Sequence, residues 1–196
     1  MIALLNLAQA DTPDRFRTQV PPQLCVGSGE RVFLFGGIAL AAAMEAMERA
    51  SGLPASHAAA QFLVPAIAGS ELEIQVRSAG GSLRQCAVEA TASGTPFLRV
   101  TGACGRRADG TAYQGSAPPA VAQPADCPER SVARLLSSNL QALLEFRLAA
   151  GVLPDRAGWS AEGGQDLACW VRARDGALLD RRLLTVIADC AALAVP

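Results

Sequence analysis

The apolar pattern is densest between Val32 and Met44, a run with no charged residue. Its first residues, VFLF, read as a short strand, and Gly36-Gly37 turn the chain into a helix that continues to Ala50. The first two helical turns are apolar on every side, which marks a buried helix rather than a surface one. Ala39, Ala41, Ala42 and Ala43 give it a small cross-section, so a sheet can approach closely. Ser51-Gly52-Leu53-Pro54 is the stop signal expected after such a helix.

Strand patterns follow. His57 to Val64 ends at Pro65. Leu72 to Ser78 alternates, with Leu72, Ile74 and Val76 on one face. Gly80-Gly81 supplies a hairpin turn, and Leu83 to Ala92 returns with Cys86, Val88 and Ala90 on one side. A further turn at Ser93-Gly94-Thr95 leads into Pro96 to Cys104, where Phe97, Arg99 and Thr101 alternate with Leu98, Val100 and Gly102. A strand, a buried helix and then an antiparallel meander predict an α+β unit whose sheet wraps around the helix. Ahead of it, residues 1–23 read as a mixed leader. Asp11 to Asp14 mark a turn or helix start there, Pro21-Pro22 end it, and Leu24 to Val26 form a short strand.

After residue 105 the pattern changes. Residues 106–128 are rich in Pro, Ala and Gly without apolar periodicity, as in a linker or a surface excursion. From Glu129 the pattern partly restarts. A short helix is expected over Ser131 to Leu140, strands over Leu143 to Leu148 and Leu167 to Arg174, and a loop over Pro154 to Gly164. Asp175-Gly176 then turns into a second helix, Leu179 to Leu193, with Leu183, Leu184, Ile187 and Cys190 as its apolar stripe. The predicted division is one complete unit at 1–105, a linker at 106–128 and a partial second unit at 129–196.

Composition narrows the chemistry. In 196 residues, 51% are hydrophobic and the net charge is −1, which supports a large core and gives no electrostatic case for nucleic acid. All 17 basic residues are arginine; without lysine there is neither a Schiff-base lysine nor a Walker A lysine. The six cysteines have no CxxC spacing and there is one histidine, so neither a metal site nor a cofactor is expected. The apolar run before Ala8-Gln9-Ala10 is short and has no basic residue ahead of it, unlike a secretory signal. The run from Val32 to Met44 is too short to span a bilayer. Reduced thiols and a cytoplasmic location, away from membranes, are the resulting expectation.

Candidate chemistry begins at Gly36-Gly37. The first N–H groups of a helix have no partner inside it and carry the positive end of the helix dipole, so this start could face a carboxylate, a phosphate or a developing oxyanion. The plainer reading, a tight turn that only glycine permits, stays open. Glu45 and Glu48, three apart on the more polar part of the helix, read as a solvated face. His57, at a strand start, reads as a surface or edge histidine.

Together these stretches resemble a known family. LFGGIALAAAMEA, AAAQFLVPAIAGSELEIQV and SLRQCAVEATASGTPFLRVTGAC are similar to the first half of the double hotdog acyl-CoA thioesterases of the TesB-like, or thioesterase II, group. Phe62, Leu63 and Pro65 stand where the family has Phe-Leu-x-Pro, and Ser82, Val88, Gly94 and Pro96 match its later strands. Trp170-Val171-Arg172, an Asp-Gly turn and a helix carrying Ala-Asp resemble the start of its second hotdog. The resemblance implies hydrolysis of acyl-CoA to free fatty acid and CoA. It places the catalytic carboxylate at Asp189, with the thioester carbonyl polarised by the helix start at Gly36 and Gly37. It also implies a Gln and a Thr on later strands, and the sequence ends at Pro196 before these can be identified. The second hotdog is thus expected to be incomplete, with an exposed edge that favours a homo-oligomer. The alternative is a non-catalytic acyl-binding or assembly protein left by truncation. A hotdog hydratase, which wants a His beside an acidic residue, would have only His57 to use.

Overall fold

A computed structural model of the chain describes residues 5–29, 31–106, 110–111, 113–129, 143–151 and 167–191. The expected helix at 131–140 and the loop at 154–164 lie outside the described residues.

The centre of the molecule is helix α1, Gly36–Ser51. Phe35 precedes it in an extended conformation, and Gly52 ends it with φ 70°, its N–H bonded to the Glu48 carbonyl at 2.9 Å. Glycine adopts that left-handed conformation without the Cβ penalty. Ile38, Ala41, Ala43, Ala46 and Met47 are wholly buried, as an all-round apolar helix requires.

A six-stranded antiparallel sheet curves around α1. Its strands are β1 (Ala8–Gln9), β2 (Arg15–Gln19), β5 (Ala55–Phe62), β6 (Glu71–Gly80), β7 (Leu83–Ala92) and β8 (Thr95–Gly105), in the order β1-β2-β6-β7-β8-β5. A separate hairpin, β3 (Cys25–Ser28) with β4 (Arg31–Leu34), leads into the helix. The meander's alternation translates directly into a core. Val76, Val88 and Val100 stand abreast across β6, β7 and β8, and Ile74, Ala90 and Leu98 form the next row; all six are buried. Helix α1 packs on β5, β6, β7 and β8. This sheet wrapped on a central helix is a hotdog fold.

The leader holds a strand that the pattern did not reveal. Asp11 to Asp14 do form a turn, but Arg15–Gln19 then pairs with β6, and Phe16 is fully buried. Only one of those five residues is a large apolar, so periodicity carried no signal; the partner strand supplies the stability.

Beyond residue 106, a two-stranded sheet of β9 (Leu144–Ala150) and β10 (Ala168–Ala173) and helix α2 (Arg181–Ala191) are described. The end of the 106–128 stretch is bound to this sheet. Arg147 donates to the carbonyls of Pro124 and Cys127, and the Trp170 indole N–H donates to the Ala122 carbonyl at 3.0 Å. Glu145, 6% exposed, accepts from both Arg147 and Arg172. Those bonds to Arg147 and then Arg172 hold its carboxyl below the usual carboxylate range.

Helix α2 lies antiparallel against α1. Gly37 meets Asp189, Met44 meets Thr185, Glu45 meets Arg182, and Glu48 faces Arg181. Asp180 caps α2, its Oδ1 accepting from the Leu183 N–H at 2.8 Å. The expected solvated role of Glu45 and Glu48 is therefore corrected. Glu45 accepts from Arg182 at 3.1 Å, and Glu48 accepts from the Ala55 N–H at 2.8 Å, so the pair ties α1 to α2 and β5.

Candidate active site

The contact between the two helices brings together the residues singled out in the sequence. The Asp189 Oδ2 accepts a hydrogen bond from the Gly37 N–H at 2.6 Å, across 152 residues of chain. A negative group at a helix start satisfies an orphan donor and is favoured by the helix dipole. The sequence requires glycine here for a packing reason. A Cβ on Gly37 would lie 2.9 Å from the Asp189 Cβ and 3.0 Å from the Val186 Cα. The two helices approach at a point where no side chain fits.

This contact changes one expectation. Gly36 and Gly37 were both expected to offer open N–H groups to a substrate. The Gly37 N–H is taken by Asp189, because the carboxylate of α2 reaches the helix start first. Among the described residues the Gly36 N–H has no partner, so it remains the donor free to meet a ligand. A Cβ on Gly36 would stand 3.1 Å from Asp189 Oδ2 and 3.3 Å from Phe62 Cζ; the carboxylate and the Phe62 ring thus flank it.

Asp189, Gly36 and Gly37 open into a cleft of about 720 Å³, a volume within the range of small-molecule sites. Leu40, Met44, Leu184 and Ala188 line its middle, and Ser56, His57, Ala58 and Arg181 stand at its other end. Leu184 is 52% exposed and Phe62 54% exposed, and both line the cleft. Sequence reasoning missed these walls. Leu184 read as part of the helix stripe, whereas Leu183 and Val186 carry the packing and Leu184 turns to the cleft.

His57 is exposed on strand β5, at the end of the sheet, as its surface reading expects; it also lines the cleft, away from Asp189. A bulge between Ala55 and His57 shifts the pairing of β5 with β8. Phe62 marks the Gly36 end of β5, and five residues of extended strand, about 16 Å, separate it from His57. Among the described residues, no hydrogen bond or ion pair joins His57 to an acidic side chain.

Cys190, next to Asp189, is 8% exposed. Burial first, and then the Asp189 charge, push its thiol from an ordinary 9.0 up to about 12, so it stays protonated and is no nucleophile at neutral pH.

Comparison with known proteins agrees with the fold. No family profile matches the sequence, and no match is found among curated proteins. Solved structures do match. A protein of Novosphingobium aromaticivorans assigned provisionally to the thioesterases is 28% identical, with a TM-score of 0.82 over 96% of this chain and 73% of that one. A Thermobifida fusca protein assigned provisionally to thioesterase II has 17% identity and a TM-score of 0.73, covering 99% of this chain and 71% of that one. The acyl-CoA thioesterase II TesB2 of Mycobacterium marinum has 19% identity and a TM-score of 0.67, covering 95% and 67%. The chain thus has a hotdog fold and is similar in structure to proteins assigned to the thioesterases. The structural likeness extends over both the wrapped sheet and the α2 region.

Proposed function

We propose that the protein hydrolyses acyl-CoA to a free fatty acid and CoA, with Asp189 as the catalytic carboxylate. The observation that carries this reading is the 2.6 Å contact between Asp189 Oδ2 and the Gly37 N–H at the head of an apolar-walled cleft. In the proposed mechanism, Gly37 fixes one carboxylate oxygen, which leaves the other to orient a water and take its proton. The water oxygen bonds to the acyl carbon. The carbonyl oxygen, gaining charge, faces the Gly36 N–H and the positive end of α1, the kind of prearranged donor that stabilises an oxyanion. The C–S bond then breaks. A thiolate leaves readily because thiol pKa values lie near about 8.5, so a single carboxylate with no separate acid suffices, and the proton passes to the departing sulfur or to solvent.

Asp189→Asn tests this directly. Its amide oxygen can still accept from Gly37, so the fold is kept while the base is lost. Thiol release from acyl-CoA should fall by about 10²–10⁴-fold, the usual worth of a general base. Equal rates in wild type and variant over short, medium and long chains would refute the mechanism.

The proposal includes a homo-oligomer. Among the described residues strand β5 is an edge of the sheet, and the chain around it exposes Phe62, Leu63, Val64 and Ile67. An unpaired edge with apolar flanks is a template for pairing, and a second copy in an antiparallel arrangement would cover both.

A further inference from the structure

Resting on that reading, we infer that the cleft is a molecular ruler for a medium-length acyl chain, ended by Arg181, Ser56 and His57. Three elements run alongside one another here, and each gives a length. On α1, Gly37 touches Asp189 while Glu48 holds the Ala55 N–H and faces Arg181 at 4.0 Å; eleven residues of helix rise about 16 Å. On α2, Asp189 to Arg181 is eight residues, or about 12 Å. On β5, Phe62 to His57 is about 16 Å. One end of the cleft therefore holds the carboxylate and the helix start. The other, 12–16 Å away by these same rises, is polar.

Between the ends the walls are apolar: Leu40, Met44, Leu184 and Ala188. Among the described residues, the only polar side chain in that middle is Thr185. Its hydroxyl bonds the Arg181 carbonyl at 2.8 Å and touches Met44 Sδ at 3.3 Å, so it shows the cleft no unmet donor. An extended alkyl chain advances about 1.25 Å per carbon, from C–C bonds of about 1.5 Å at tetrahedral angles. The apolar span thus fits a chain of roughly ten to twelve carbons with its carbonyl at Asp189. A longer chain would lay its extra methylenes against the Arg181 guanidinium, which is paired with Glu48, and against His57. Nothing there repays their removal from water.

The ruler is read by the binding of hydrolysis-resistant alkyl-thioether CoA analogues, from four to sixteen carbons, by calorimetry. Affinity should rise by up to about fourfold per methylene until ten to twelve carbons and then level off. Leu184 lies five residues before Asp189, so Leu184→Trp should bring the break down to about six carbons by the helical rise. Arg181→Leu, which extends the apolar wall, should move it to longer chains. Both positions are exposed and tolerate the change. No binding, affinity that does not grow with chain length, or a break that neither variant moves would overturn the ruler. The last two, with free CoA bound as well as the analogues, would instead put the pantetheine arm in the cleft. Hydrolysis of the matching thioesters is followed in parallel. A break in binding without hydrolysis would sink the catalytic proposal and leave the ruler standing. Hydrolysis without a break would do the reverse.

Discussion

Gly37 and Asp189 depend on each other. Gly37 supplies the N–H that the carboxylate needs, and it lacks the Cβ that would keep the carboxylate away. Gly37→Ala would bring a methyl within 3.0 Å of the α2 backbone at Val186, and backbone cannot swing aside. The helices must separate, at a cost of about 1–3 kcal/mol, as overpacking usually exacts. Gly36→Ala differs. Its methyl meets a carboxylate oxygen and the end of the Phe62 ring, both able to shift, and alanine gains about 1 kcal/mol over glycine in a helix. Thermal melting should therefore show Gly37→Ala clearly destabilised and Gly36→Ala near neutral, while thioesterase activity falls in both. An unchanged melting temperature for Gly37→Ala would contradict the tight helix contact.

At the scale of elements, buried thiols report how firmly the strands and helices close. Burial first, and then the charge of Cys104, push the Cys86 thiol on β7 up to about 11, and the Cys190 thiol on α2 reaches about 12. Both folded values stand above the unfolded one of 9.0. Below pH 9 each thiol is protonated in either state and stability is unaffected. As pH rises through 9 the unfolded chain loses protons that the folded chain keeps, so stability falls. Urea midpoints should decline between about pH 9 and pH 11, and Cys86→Ala with Cys190→Ala should flatten that decline. A decline of equal slope in the double variant would show that other groups cause it.

For the whole molecule, the sheet order leaves β5 as an edge beside the cleft, so association and the site are neighbours. The chain should sediment as a multiple of its 20.2 kDa mass, and Leu63→Arg or Ile67→Arg should shift it toward the monomer. A wild type that is monomeric at high micromolar concentration would rule out pairing through this edge. The strand–helix–meander order was legible because local patterns carry it: period-two alternation in β6 and β7, and an apolar run too long for one strand in α1. Strand β2 was not legible, since Phe16 alone among its five residues points to a core that β6 creates. Glu45 and Glu48 looked solvated because their partners, Arg182 and the Ala55 N–H, belong to other elements.

By itself the sequence determined the buried helix, its glycine start, the wrapped meander and, through resemblance, Asp189 as the acid to watch. These are properties of single segments, set by the spacing of apolar residues and by backbone freedom. Only the tertiary structure decided that Asp189 occupies the Gly37 N–H and that Leu184 faces a cleft. It also decided that His57 stands at the far end of that cleft. The physical reason is common to all three. Each depends on where α2 comes to rest against α1 and β5, and that is set by side-chain volumes and ion pairs between segments far apart in the chain, which no local pattern records.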